Sequence, residues 1–459
     1  MGVPPTPQPM AYFFRARESC RRHMILVLPL IWISFTHPAT ASDLDLSLKQ
    51  AIEIALSPEG SAEVQMAQES IREVQARSQQ SRAELLPHLG ASVGFQNQTR
   101  NLEALGLQPS PLFRPPTRVG PFTTFDARTN LTQTIFHLGS IRRFQASRIG
   151  VRVAQTEKEN IEERTAAQVA RFYLEALRNR ARLDAARANL ELATALADLA
   201  ENQKEAGIGT GIEVTRAQVQ VSNEQQRLLG AEQQHRQSLL RLLKLIGIRL
   251  DANLTLTENL THTPVQVADM QEALAIAFRS RSDLQAHQKR EEQADLDYRA
   301  ARSDRIPSLS GFAGYGTIGS GIDSAIPTWN LGISLELPVF DGGKIDAHRA
   351  ESLSKLRRER IEMQDLRRQI ELEVRLAFAG INLAREQITV AKEGLQLAQQ
   401  EVEQARRRYQ AGITSSLEVT DAQTRLERAR ENQITALFNY SLERINLGEA
   451  MGTIRSMIQ

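Results

Sequence analysis

Tyr409-Gln410-Ala411-Gly412-Ile413-Thr414-Ser415-Ser416-Leu417-Glu418-Val419-Thr420-Asp421-Ala422 has a counterpart elsewhere in this chain. Its counterpart, 205 residues earlier, reads Lys204-Glu205-Ala206-Gly207-Ile208-Gly209-Thr210-Gly211-Ile212-Glu213-Val214-Thr215-Arg216-Ala217. Ala-Gly-Ile, Glu-Val-Thr and Ala-Gln recur at one spacing. Each copy is a short glycine-containing turn between two long stretches rich in Ala, Gln, Glu, Arg and Leu, so each reads as the tip of a helical hairpin.

The outgoing stretches, about 141–205 and 344–410, contain no proline. At 1.5 Å per residue, roughly 65 residues make a rod of roughly 100 Å. Helices of that length are supported by neighbouring helices rather than by a globular core. The return stretches carry a seam at steps of three and four. In the first copy it runs Ala217, Val221, Glu224, Leu228, Ala231, His235, Ser238, Leu242; in the second, Ala422, Leu426, Ala429, Gln433, Ala436, Tyr440. That is coiled-coil spacing with small and polar members, suited to a wet or many-helix wall.

Upstream of each hairpin the repeat continues. Ser47–Leu56 is echoed by Asp269–Phe278, Pro87-x-Leu89 by Pro307-x-Leu309, and Leu131–Phe136 by Leu335–Phe340. The domain reading is therefore a leader over 1–41, a first repeat over 42–250, a linker over 251–268 and a second repeat over 269–459. Each repeat holds short helices, two strands and a long hairpin. The strands are expected at about 88–98 and 125–136, then at about 308–318 and 329–340; the hairpins at about 141–246 and 344–451.

The second strand of each pair alternates with period two. Trp329, Leu331, Ile333, Leu335 and Leu337 share one face, against Asn330, Gly332, Ser334 and Glu336. Phe125, Ala127, Leu131 and Ile135 likewise oppose Asp126, Arg128, Asn130, Thr132 and Thr134. Four amphipathic strands cannot close a membrane barrel, whose smallest examples need eight. Left open, their edges invite aggregation. Three chains donating four strands each would make a twelve-strand barrel with Asp126, Arg128 and Glu336 lining a wet lumen. On pattern alone, a soluble sheet capping a helical bundle remains open.

The leader carries Arg15, Arg17, Arg21 and Arg22, a short apolar run from Met24 to Phe35, and Ala39-Thr40-Ala41 as a cleavage site. Met1, Met10 and Met24 are all possible starts. Cys20, the only cysteine, precedes the apolar run, leaving the mature chain no thiol. The leader holds four Arg and one Glu, so the formal charge of +2 falls to about −1 in the mature chain, which argues against a nucleic-acid partner. Gly207-x-Gly209-x-Gly211 follows no strand and fits no nucleotide fingerprint. The histidines form no HxxxH or HExxH pair, and no nucleophile elbow is present. No catalytic, metal-binding or cofactor site is expected, and the chain does not read as an enzyme.

In sum the duplicated unit, Leu86-Pro87-His88-Leu89, Leu337-Pro338-Val339-Phe340-Asp341-Gly342-Gly343 and the two tips resemble the TolC-like outer-membrane factors over nearly the whole mature chain. The resemblance implies mainly α structure with membrane β: a trimeric twelve-strand outer-membrane barrel continued by a long periplasmic helical barrel. It implies an outer-membrane exit duct for efflux or type I secretion, built as a homotrimer in outer-membrane lipid. The expected partners are a periplasmic adaptor and an inner-membrane efflux or ABC-type pump, with no nucleic acid.

It also implies a periplasmic gate at the tips, with Glu418 and Asp421 ringing the pore and Tyr409 holding the tip closed. Where the family pattern has an arginine that bonds the neighbouring hairpin at the position of Glu213, this chain has Thr414. Arg216 is the candidate replacement partner for Glu418 or Asp421. Gly207, Gly209, Gly211, Gly412 and Thr414 are the expected adaptor-docking residues. A periplasmic adaptor, with one hairpin between β-rich halves, and a structural coiled-coil envelope protein are the alternatives. Two hairpins and the Trp329–Leu337 alternation weigh against both.

Overall fold

A computed structural model describes residues 43–106, 116–262 and 269–458. The leader, and the part of the linker from 263 to 268, lie outside the described residues.

The duplication is visible element by element. The first copy runs α1 (Leu48–Leu56), α2 (Ala62–Ala83), β2 (His88–Asn101), β3 (Arg118–Phe136), α3 (Leu138–Glu205) and α4 (Gly211–Ile246). The second runs α5 (Met270–Ser280), α6 (Ser282–Ser303), β5 (Ser308–Gly319), β6 (Ile326–Glu336), α7 (Lys344–Gln410) and α8 (Ser416–Met451). A short α9 (Ile454–Ile458) follows. Strand β1 (Asp43–Leu46) precedes the first copy and β4 (Asn253–Leu256) stands between the two.

Four of the strands form one antiparallel sheet ordered β2-β3-β5-β6. In such a sheet, residues paired directly across share a face. The register aligns Leu89, Leu131, Ala313 and Leu331 in one row, and Tyr315 with Trp329 in another. This apolar face is bare: Trp329 is 77% and Leu331 75% exposed. The opposite face aligns Gly90, Asn130, Gly314 and Asn330, then Ser92, Arg128, Gly316 and Thr328. A side chain at Gly314 would strike Asn330, and one at Gly316 would strike Arg128. The glycines that make β5 look irregular thus give the polar side chains of its neighbours room.

The last strand ends earlier than expected, at Glu336 rather than near 340. Leu337 precedes Pro338, which has no N–H to give a ladder, so Leu337–Phe340 leaves the sheet. Asp341 then accepts the backbone N–H groups of Ile345 (2.6 Å) and Gly343 (3.1 Å), opening α7.

Helices α3 and α7, of 68 and 67 residues, carry the chain away from the sheet, and α4 and α8 return along them. Midway along the hairpins, Leu46, Ala51, Ala55, Val169, Tyr173, Leu242, Leu243 and Ile246 form a core for the first copy. Ala273, Leu274, Ala277, Leu284, Ile370, Val374 and Leu447 do so for the second. The expected linker holds β4, which pairs in parallel with β1. Four residues are too few to announce a strand, yet Leu254 and Leu256 alternate inward and join the first core. The Tyr173 hydroxyl donates to the Leu46 carbonyl at 2.9 Å, and burial, aided by the charge of Glu258, pushes this phenol up to about 12. Because the Thr257 N–H also serves that carbonyl, Tyr173→Phe is expected to cost only about 1 kcal/mol. A urea midpoint of the detergent-solubilised protein measures it.

No helix among the described residues is long and apolar enough to cross a membrane.

Candidate functional site

Both tips are built by the same device. Helix α3 ends with Ile208 N–H bonded to Gln203 O and Gly207 N–H to Lys204 O, both at 3.0 Å. Helix α7 ends with Ile413 N–H bonded to Arg408 O and Gly412 N–H to Tyr409 O. This is the Schellman closure, and it needs a left-handed residue just past the helix. Gly207 (φ 75°) and Gly412 (φ 70°) supply it. Gly209 is required by space, because a Cβ there would meet the Lys204 nitrogen at 2.9 Å. Gly211 meets neither demand.

The return helices start differently. Thr210 caps α4, and the Glu213 carboxylate reaches back to the Thr210 N–H and hydroxyl, both at 3.0 Å. The Thr210 N–H above all, helped by its hydroxyl, the Ser416 N–H and Arg216, holds the Glu213 carboxyl below its ordinary range. Ser415-x-x-Glu418 could make the same capping box, but Glu418 turns away. It accepts from the Thr414 hydroxyl and pairs with Arg408 at 3.2 Å. Asp421, on the same side of α8 at three residues' spacing, is exposed and has no hydrogen bond or ion pair among the described residues.

The expected bond from Arg216 to Glu418 or Asp421 is absent within the chain. Arg216 instead donates to the Ser416 hydroxyl at 3.2 Å, because Arg408 of its own hairpin already occupies Glu418. Ser416 is therefore where the first hairpin holds the second, through Arg216 on its hydroxyl. A second junction lies close by, where Gln203 Nε2 donates to the Tyr409 carbonyl at 3.1 Å.

Tyr409 does not line open space. It is 4% exposed, packed in a cluster with Leu196, Val402, Ala405, Val419, Ala422 and Leu426. Its hydroxyl has no partner among the described residues, and burial, with the charge of Glu213, pushes the phenol upward. Ser416, Gln203 and Arg408 went unrecognised in the sequence. The repeat itself held the signal: Ser416 stands where the first copy has Gly211, and Arg408 where it has Gln203.

Above the tips the two hairpins also meet through polar groups. Arg182 pairs with Glu431, Arg171 with Glu449, Arg430 with Asn189, and Arg227 with Glu427. Within each hairpin, by contrast, the buried residues are mostly Ala, Leu, Val and Ile.

At the far end, Asp126 and Arg128 form an ion pair of 2.8 Å on the polar face of β3. Glu336 shares that face but pairs across with Ser308, at the helix end of the sheet. Eight residues of strand separate it from Thr328, the partner row of Arg128, or roughly 27 Å. The three groups do not form one cluster.

Residues 54–248 and 273–453 match the family model described as outer membrane efflux protein, once in each repeat. The pyoverdine export outer membrane protein OpmQ of Pseudomonas putida is 26% identical over 438 residues, 92% of this chain and 87% of that protein. The fold is similar to the crystal structure of the Campylobacter jejuni CmeC outer membrane channel, with a TM-score of 0.75 at 17% identity over 88% of this chain and 85% of that one. It is equally similar to the outer membrane protein VceC of Vibrio cholerae, with a TM-score of 0.74 at 19% identity over 88% and 96% of the two chains.

Proposed function

Because this chain belongs to the outer membrane efflux protein family, we propose that it is the passive outer-membrane exit duct of a tripartite export machine. It is not an enzyme. An inner-membrane pump supplies the driving force and a periplasmic adaptor joins the two.

The observation that carries this reading is the bare apolar face running across all four strands. In water that face would be an aggregation surface; facing lipid, it is what a barrel wall requires. The sheet leaves β2 and β6 as edges. They run in opposite directions, so β6 of one copy pairs antiparallel with β2 of the next, and three copies close twelve strands. The helical wall agrees. Leu376, Leu383, Val390 and Leu397 lie exposed along α7 at intervals of seven, the seam that a neighbouring copy covers. Outer-membrane fractionation and single-channel recording in planar bilayers test the reading. Recovery in the soluble periplasmic fraction, or reconstituted protein without discrete current steps, would overturn it.

We read the hairpin tips as the gate and the surface the adaptor meets, with Gly207, Gly209, Gly412 and Thr414 shaping the turns. Threefold symmetry gathers Glu418 and Asp421 from each copy, six carboxylates, at one constriction, an arrangement that attracts cations. The clasp on Ser416 keeps each second hairpin against the first. Arg216→Ala and Ser416→Ala should each raise the open probability up to about tenfold, as losing one hydrogen bond to a charged group of roughly 1.5 kcal/mol would. The double variant should add nothing, since both remove one contact. Bilayer currents of unchanged open probability in both single variants would dismiss the clasp.

A further inference from the structure

Glu224, on α4 well above the tip, is a carboxyl group that the duct reading leaves unused. Its side chain is 2% exposed. One oxygen, Oε1, accepts from Gln220 Nε2 and from Arg227 Nη1, both at 2.8 Å. The other, Oε2, is buried with no donor. Beside it is a second carboxyl, Glu427 of α8, which belongs to the other hairpin and shares the Arg227 nitrogen that Glu224 binds. Arg227 spans the two, reaching Glu224 and Glu427 with the same nitrogen.

Among the described residues, the surroundings offer nothing else to neutralise the pair. From α3 come Asn189 and Leu192, and from α8 Gln423 and Leu426, all uncharged. The remaining cation, Arg430 on α8, feels Glu427 but is turned to Asn189. Two carboxylates against one guanidinium leave a net negative charge with one member shut away from water, a state that such a site avoids by keeping a proton.

We propose that Glu224 and Glu427 form a proton-binding site that fastens the first hairpin to the second. With one proton between them, Glu224 donates its O–H to the Glu427 carboxylate and α4 is held to α8. Without it the two carboxylates repel and the helices part. The site lies beside the apolar cluster of Leu196, Val419 and Leu426 that joins the hairpins, so the proton adds to a packing contact already there. Any effect on transport rests on the gate reading above; the proton site itself does not.

Burial first, then the hydrogen bond and charge of Glu427, push Glu224 up to about 7, against the pull of Arg227. With the hairpins apart, the group returns towards the ordinary carboxylate range. An acid raised in the closed form takes up a proton on closing, so closure is favoured at low pH and lost as pH rises through about 7. Within that window each copy shifts its open-to-closed ratio by up to about tenfold per pH unit.

The test uses the full-length trimer in lipid. Infrared titration should show a carboxylic-acid carbonyl band that vanishes near pH 7 and is missing from Glu224→Gln, whose amide keeps the hydrogen bond without the proton. Spin labels at the exposed positions 222 on α4 and 428 on α8 should move apart above that pH in the wild type, and stay together in Glu224→Gln. A wild type without the band overturns the proton site, whether or not the variants assemble. A band with no pH-dependent separation, or a separation that follows sodium at constant pH, overturns the fastening. Labels that separate while bilayer currents stay constant uphold the proton site and fastening, and count against the gate reading instead. Glu427→Gln repeats the test from the other side.

Discussion

Leu331→Arg is expected to abolish the outer-membrane trimer. Leu331 lies at the middle of β6, in the apolar row that also holds Leu89, Leu131 and Ala313. A lipid-facing arginine near the bilayer midplane costs about 2–4 kcal/mol, and in a trimer the cost falls three times on one barrel. Its neighbour Asn330 points to the other face, so Asn330→Arg should assemble normally and change only ion selectivity. The comparison is made by quantifying trimer in outer-membrane fractions of the two variants. Equal yields would mean that the two faces have been assigned the wrong way round.

The second large effect is expected at the tip. Tyr409→Ala empties a buried aromatic site among Leu196, Val402, Val419 and Leu426, which typically costs about 3–5 kcal/mol. That loss falls where the second hairpin packs against α3, so the channel should leak, with long openings in bilayers that contain no adaptor. Tyr409→Phe should behave like the wild type. The hydroxyl has no partner among the described residues, and deleting an unpaired polar atom costs little. If the phenylalanine variant leaked as much as the alanine variant, the hydroxyl rather than the packing would be closing the tip.

Much of the fold was legible because it is written in periodicity and repetition. The paired tips, the proline-free helices and the two alternating strands each follow from local spacing, and local spacing is what a sequence displays. Trp329–Leu337 could be read as one apolar face, since period two puts alternate residues on one side, but whether that face meets lipid or a helical bundle is not written in the alternation. The junctions between hairpins were not legible in the same way. Arg216 could be seen as a candidate clasp, but which oxygen it takes depends on Arg408 having claimed Glu418 first. Glu224 stood out as a polar member of the α4 seam, yet its partner Glu427 lies 203 residues away on another helix. Pairings of that kind are set by how two hairpins lie together, for which neither carries a local mark. Strand β4 escaped for a related reason: its four residues become a strand only once β1 is beside them.

That small parallel pair has a consequence for the order in which the molecule is made. Asp43 and Asn253 pair across 210 residues of chain, and loop closure over such a distance is slow and gains little from four residues alone. The pair therefore waits until α3 and α4 have formed and offer it Tyr173 and Ile246 to pack on. Once it closes, the first repeat is a finished loop, with its beginning tied to its end before most of the second repeat need exist. The strands of the second repeat, β5 and β6, extend an edge that belongs to the first, β3.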